Sequence, residues 1–169
     1  MIKDHGVNIM TNFNEHALEM SIMQLFKDEG YTYVSGDQIH RERTEVLLID
    51  DLKQYLYNRY AKDGITLSEV DGIILFLRNI SGTIYEANKE VYRIICNGFT
   101  LTREDRTQKD IHIRLVDFEN PGNNIFKIVN QFEIDGINNQ RRIPDGIVFV
   151  NGIPVVAVSY THLRAHETD

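Results

Sequence analysis

The residues best suited to chemistry lie near the C-terminal end, in the segment IPDGIVFVNGIPVVAV. Two apolar runs flank Asn151-Gly152, a pair that tolerates the positive φ angles of a tight hairpin turn. A two-residue loop would place Asp145 opposite Val158, whereas a three-residue loop with a bulge would place it opposite Ser159. In both registers a carboxylate at the start of one strand faces the end of its partner.

A carboxylate in this position is suited to binding a divalent cation. Antiparallel neighbours lie about 5 Å apart, so a second acid on the partner strand would share the cation with Asp145. Such a cation activates water and stabilises the charge that develops in phosphodiester cleavage. The partner strand, however, offers Ser159 and Thr161. The alternative interpretation of Asp145 is a turn or strand-start residue after Pro144.

Other charged side chains are candidates for the same site or for contact with nucleic acid. Glu15 and Glu19 are spaced to share one face of the first predicted helix, and a solvated acidic face is the simpler interpretation of that pair. Arg141 and Arg142 precede Pro144 and are candidate phosphate contacts, with ordinary solvated loop charge as the alternative.

A second basic cluster, His40, Arg41 and Arg43, lies in a predicted loop and is a candidate for contact with DNA or a partner subunit. Gln131 and Glu133 are predicted on the strand before the hairpin. They are candidates to approach the site, with surface residues of that strand as the favoured interpretation. The phosphate-binding pattern GxxxxGK[ST] does not occur in the sequence.

These candidates are positioned by a predicted α+β arrangement, in which helices come first and a run of mostly antiparallel strands follows Gly98. Apolar spacing and capping residues predict four helices, at about 15–29, 44–61, 69–79 and 84–97. The third is predicted to begin at a capping box of Ser68 and Asp71. Alternating patterns predict strands at 31–34, 110–118, 124–134, 146–150 and 153–158. The first helix is predicted to have one apolar stripe, formed by Ala17, Leu18, Ile22, Leu25 and Phe26.

Composition limits the class of protein. The 169 residues are 42% hydrophobic and 25% charged, which fits one folded domain. No apolar run has the length of a membrane span, and no secretory segment is evident. The single cysteine, Cys96, is predicted to be buried on a helix and fits a cytoplasmic location. The net charge of −7 disfavours DNA binding through bulk charge, so any DNA contact must be local or shared with a larger protein.

The sequence resembles the N-terminal nuclease domain of the restriction (R) subunit of type I restriction-modification enzymes, which has a PD-(D/E)xK nuclease fold. The resemblance covers nearly everything from Phe13 to Ala157. It rests on the segments NEHALEMSIMQLFKDEGY, HRER, IRLVDFENPGNNIFKIVNQFEIDG and RRIPDGIVFVNGIPVV. It implies an α+β domain with a mixed central sheet flanked by helices. Residues 1–12 are interpreted as a leader.

The resemblance implies an enzyme, a type I site-specific deoxyribonuclease that cuts unmodified double-stranded DNA. Asp145 would bind Mg²⁺, and an acid of the first helix would lie beside the metal, where Glu19 matches better than Glu15. In the family the second hairpin strand continues into Glu-x-Lys. The Glu completes the metal site, and the Lys positions or polarises the attacking water. Counting from Asp145, the positions of this Glu and this Lys are occupied by Ser159 and Thr161 here. The implied protein partners are the methylation and specificity subunits. The ATP-driven motor lies further along the polypeptide.

The C-terminal segment VSYTHLRAHETD departs from the family. One interpretation is a natural loss of activity. The favoured one is that the segment resembles a translated reading frame of the transposase adapter used for sequencing libraries, so residues 158–169 are interpreted as foreign. The nuclease domain, residues 13–157, would then stop before its catalytic pair, and this chain would be inactive. Two alternatives remain open. The first is another PD-(D/E)xK nuclease, such as a resolvase, which would keep the metal site but lack the motor. The second is a non-enzymatic interaction domain, in which Ser159 and Thr161 would be native residues.

Overall fold

The structure, a computed structural model, describes residues 7–136 and 141–159, and the side chains of the first helix from Ala17 onward. Within these residues the α-helices are α1 (Val7–Asp28), α2 (Ile49–Tyr60), α3 (Leu67–Arg78) and α4 (Ile84–Asn97). The strands are β1 (Thr32–Ser35), β2 (Phe99–Leu101), β3 (Ile111–Ile113), β4 (Phe126–Asn130), β5 (Ile134–Asp135), β6 (Arg141–Arg142), β7 (Gly146–Val150) and β8 (Ile153–Val158). None of the helices in this part of the chain has the length and apolar character of a membrane span.

The largest sheet has the strand order β1-β4-β7-β8 and is mixed. β1 and β4 are parallel, with Ser35 opposite Asn130, and a long connection through the helices separates them in sequence. Asn151 and Gly152 have φ angles of 53° and 79°, the left-handed values of a two-residue hairpin turn between β7 and β8. The predicted α+β class, the mixed sheet and the hairpin are confirmed, and β1 and β4 are its parallel pair.

The chain divides into two compact units. One contains the residues up to Val46, Phe126–Phe149 and the residues from Pro154 on. The other contains Leu47–Ile125 and the hairpin turn Val150–Ile153. The prediction of one family domain at 13–157, with a leader and a foreign tail, stays a prediction.

In the first unit, α1 packs against β1 and the sheet. Met23 is 1% exposed and packs with Ile128 and Val148. The predicted apolar stripe is therefore wrong in part, because Leu18 and Leu25 are 40% and 60% exposed. The helix is rotated so that the residues in line with Met23 face the sheet.

The bounds of the first two helices also differ from the prediction. α1 begins at Val7, earlier than Glu15, so residues 7–12 of the predicted leader are helical. α2 begins at Ile49, later than Thr44. Apolar spacing continues beyond a helix whenever the flanking loop also packs on the core, so spacing alone locates helix starts poorly.

In the second unit, helices α2 to α4 enclose the larger apolar core, which includes Leu52, Leu56, Ile73, Ile94 and Ile113. The bounds predicted for α4 are confirmed, and Gly98 ends the helix with a φ of 69°. The capping box of α3 is Thr66 with Glu69, not Ser68 with Asp71. Cys96 is exposed, contrary to the prediction, because Ile94 is the buried residue of α4.

The side chain of Asn151 fixes the hairpin turn within the second unit. It is fully buried, accepts a hydrogen bond from the Ile125 backbone N–H at 2.7 Å and donates to the Leu115 carbonyl at 2.8 Å. The same amide donates to Asn124 Oδ1 at 2.8 Å. Asn151 is therefore required by its contacts as well as by its left-handed backbone, since a buried amide must have its partners.

A buried ion pair joins α3 to the segment after β2. Arg103 Nε donates to Glu69 Oε1 at 2.8 Å, and the side chains are 3% and 2% exposed. The other two guanidinium nitrogens donate to the Asp63 and Gly64 carbonyls at 2.9 and 2.7 Å. Glu69 Oε2 accepts from the Thr66 backbone N–H at 2.9 Å. Each guanidinium nitrogen is hydrogen-bonded, as burial of a charge demands.

Acidification is expected to destabilise the second unit as the pH falls from 4.5 to about 2. Burial by itself would raise the pKa of Glu69, but hydrogen bonds from Arg103, Thr66 and Glu104 outweigh burial and lower the pKa from 4.5 to about 2. Because the folded-state pKa lies below the unfolded one, the stabilisation is complete above pH 4.5 and is lost as the pH falls toward 2. Urea unfolding followed by circular dichroism should show this loss. Glu69→Gln should show a weaker pH dependence in that interval, and equal dependence in both proteins would contradict the assignment.

Candidate functional site

Glu19 lies on the sheet side of α1 and is hydrogen-bonded to the end of β4. Asn130 Nδ2 donates to Glu19 Oε1 at 3.0 Å, and Tyr33 Oη donates to Asn130 Oδ1 at 3.1 Å. Asn130 is 8% exposed and lies opposite Ser35, the last residue of β1. Since both ends of the Asn130 amide have partners, the donor end is directed at the Glu19 carboxylate.

Asp145 is half-buried at the bend just before β7. An ideal Cβ on Gly146 would lie 3.2 Å from Met23 Cε and 4.0 Å from the Val129 carbonyl oxygen. Met23 is one helical turn after Glu19, and Val129 is the penultimate residue of β4. The fold thus brings the start of β7 and the Glu19 region of α1 to one end of the sheet.

The other residues predicted for the metal site are placed less completely. Glu15 is in α1, but its side chain lies outside the described residues. Ser159 is exposed directly after β8, and Thr161 also lies outside the described residues. Counting outward from the two-residue turn places Asp145 opposite Val158. In the described parts of the chain, no group of three or more His, Cys, Asp or Glu side chains is placed to hold a metal ion.

Three of the four arginines predicted to contact DNA converge on Glu133. Arg43 Nε lies 3.0 Å from Glu133 Oε2, and Arg141 Nη2 donates to Glu133 Oε1. Arg41 Nη2 donates to the Glu133 backbone carbonyl. The fourth, Arg142, is exposed on β6. Arg41 and Arg43 of the loop cluster and Arg141 of the arginine pair, which are separate in sequence, therefore meet at one residue.

Arg41 is engaged within the protein. Its guanidinium lies 3.5 Å from the centroid of the Phe132 ring, and Nη1 donates to the Glu45 and Glu42 carbonyls at 2.8 and 3.0 Å. Burial lowers the pKa of Arg41 from its ordinary value. These contacts hold the loop that contains Arg41 and Arg43 against the chain after β4.

A groove of about 550 Å³ lies beside the arginines. Its lining residues come from the end of β1, the following loop and the chain after β4; they are Ser35, Gly36, Asp37, Ile39, Arg41, Arg43, Gln131 and Glu133. Gly36 is required here by close approach, because a Cβ would lie 2.5 Å from the Gln131 carbonyl oxygen. The lining residues include Gln131, which directly follows Asn130, and Arg43.

The sequence pattern did not predict the roles of Asn130, Gln131 and Glu133. It predicted one strand over 124–134, but β4 ends at Asn130 and Gln131 has a φ of 51°. The interpretation of Gln131 and Glu133 as surface residues of that strand is therefore wrong. The available signal was the polar Asn-Gln pair that ends the apolar run FKIV.

A family model described as the type I restriction enzyme R protein N terminus matches residues 12–158. The chain belongs to this family. Among relatives of the R-subunit domain, the type I restriction enzyme HindI endonuclease subunit of Haemophilus influenzae is 29% identical over 153 residues. That match covers 85% of this chain and 14% of the relative.

A protein of Methanocaldococcus jannaschii named as the MjaIXP type I restriction endonuclease subunit is 27% identical over 164 residues. This match covers 91% of the chain and 16% of the relative. The chain therefore spans only a small N-terminal share of proteins named as endonuclease subunits. The resemblance inferred from the sequence segments is confirmed, and the domain is an N-terminal R-subunit domain.

Proposed function

We propose that this R-subunit domain is the DNA-cleaving part of a type I restriction enzyme, a hydrolase of phosphodiester bonds in unmodified double-stranded DNA. The observation that most supports this proposal is that Asn130, at the end of β4, holds the Glu19 carboxylate, while β7, which begins directly after Asp145, starts near Val129 of the same strand. Methylation and specificity subunits would be its protein partners. ATP would serve a motor in another part of the R subunit.

Mg²⁺ is the proposed cofactor, because carboxylate oxygens are the ligands that this cation prefers. Asp145 would bind the ion directly, and Glu19 would bind or orient it from α1. A cation held there would lower the pKa of bound water and would neutralise charge on the phosphodiester. Asn130 keeps the Glu19 carboxylate at the end of the sheet. Ser159 and Thr161 stand where the family has Glu-x-Lys, so we expect the chain as it stands to be inactive.

The proposal is tested by the uninterrupted reading frame of the gene and by its product. We expect the frame to continue after IPVVAV with a glutamate and a lysine where this chain has Ser159 and Thr161. The product, assembled with its partner subunits, should cut double-stranded DNA in Mg²⁺ but not in EDTA. The present chain, used in the same assay in place of that product, should not cut DNA. A frame without an acidic and a basic residue two positions apart would contradict the proposed nuclease.

A further inference from the structure

We propose that the Glu133 carboxylate occupies, in the free protein, the position at which Arg43 and Arg141 bind a phosphate of the DNA backbone. This inference rests on the proposed function, since it takes DNA as the ligand of the domain. Glu133 would compete with DNA for two arginines and so set the affinity of the domain for its substrate.

The geometry of the ion pairs supports this competition. Glu133 Oε2 pairs with Arg43 and Glu133 Oε1 pairs with Arg141, so each carboxylate oxygen has its own guanidinium group. A phosphate can present two oxygens to two guanidinium groups in the same manner. The arginine side chains are 56% and 50% exposed, which leaves them accessible to a ligand from the solvent side.

The Glu133 carboxylate, whose side chain is 30% exposed, is a ligand that DNA can displace because both arginines that bind it are exposed. Ion pairs at this level of exposure are weak and are screened by salt. A DNA backbone offers several phosphates at once, and its binding gains from the release of condensed counterions, which Glu133 cannot match. The arginines would therefore exchange the carboxylate for phosphate when DNA enters the groove.

The backbone that positions the two arginines does not depend on the Glu133 side chain. The Asp135 backbone N–H donates to the Arg43 carbonyl at 3.2 Å, and Asp135 lies opposite Arg141 in the β5–β6 pair. Arg41, stacked on Phe132, holds the same loop from its other side. Removal of the carboxylate should therefore free both guanidinium groups and leave their supports in place.

The location of the groove connects this phosphate position with the proposed cleavage site. Gln131 lines the groove and directly follows Asn130, the residue that holds Glu19. A DNA strand held by Arg43 and Arg141 would extend along the groove toward that end of the sheet. The net charge of −7 makes such a local basic position the expected means of holding DNA.

We expect Glu133→Gln to bind a short DNA duplex at least about three-fold more tightly than the unchanged chain, because two arginines are released. The dependence of log Kd on log salt should steepen by about 0.9 for each additional phosphate neutralised. Fluorescence anisotropy with a labelled duplex in EDTA, between about 50 and 200 mM salt, measures both quantities. EDTA excludes cleavage, so this result and the cleavage test succeed or fail separately.

Asp37→Asn is the matched control. It removes one carboxylate from the same groove, and among the described residues no arginine is paired with Asp37. Its affinity for DNA should change less than that of Glu133→Gln. Addition of Arg43→Gln to Glu133→Gln should remove the gain, because the released guanidinium is the proposed ligand.

An equal gain in both single variants would assign the effect to net charge and overturn the proposal. Unchanged or weaker binding by Glu133→Gln would also overturn it, because Glu133 would then only support the arginines. Thermal unfolding confirms that each variant is folded. Glu133→Thr, which removes the same charge with a different side chain, repeats the test if the glutamine variant does not fold.

Discussion

Replacement of Asp145 by alanine is expected to slow Mg²⁺-dependent DNA cleavage by the uninterrupted R subunit about a thousandfold or more. A direct cation ligand supports several kcal/mol of transition-state stabilisation, and each 1.4 kcal/mol corresponds to about a factor of ten in rate. Asp145 is half-buried at the bend before β7, which starts near Val129 of β4. The measurement is the rate of plasmid cleavage by the assembled enzyme as a function of Mg²⁺ concentration.

Two further variants separate loss of the ligand from loss of the fold. Asp145→Asn keeps the shape of the side chain and removes its charge, so it should lose most of the activity as well. Asp28→Asn removes a carboxylate from the exposed end of α1, where Gln24 donates to it at 2.8 Å, and should cut like the unchanged protein. Cleavage at the unchanged rate by Asp145→Ala would leave Asp145 with only its role as a turn residue.

Arg103→Met is expected to lower the free energy of unfolding by about 3–5 kcal/mol, because it leaves a buried carboxylate without its charged partner. Both side chains of the Arg103–Glu69 pair are almost completely buried. The substitution also removes donors from the Asp63 and Gly64 carbonyls. Urea unfolding followed by circular dichroism at neutral pH measures the change.

The double variant Arg103→Met with Glu69→Met should recover much of this loss, since an apolar pair of similar volume avoids the buried charge. Arg93→Met is the matched control on the surface, because Arg93 pairs with Glu90 at 2.7 Å while both side chains remain exposed. Its urea midpoint should stay close to that of the unchanged chain. A loss for Arg103→Met as small as that for Arg93→Met would contradict the importance of burial.

Local sequence patterns were sufficient to predict those elements whose ends are set by residues nearby in the sequence. The bounds of α4 followed from its apolar spacing and from Gly98, which has a positive φ of 69° directly after the helix. The β7–β8 hairpin followed from Asn151-Gly152 for the same reason. These backbone preferences act within a few residues, so they can be read along the chain.

The buried face of α1 could not be predicted in this way. Apolar residues lie on more than one side of the helix, so spacing alone does not select a face. Packing against the sheet decided that Met23 is buried while Leu18 and Leu25 remain largely exposed. The same rotation places Glu19 beside Asn130.

By itself, the sequence determined the α+β class, the hairpin with Asp145 at its start, and membership of the R-subunit family. Only the tertiary structure decided that Asn130 holds Glu19 and that Glu133 joins Arg43 to Arg141. The physical reason is separation along the chain: Glu19 and Asn130 are 111 positions apart, and no local preference links residues at that distance. Their contact exists because a helix and a strand pack together.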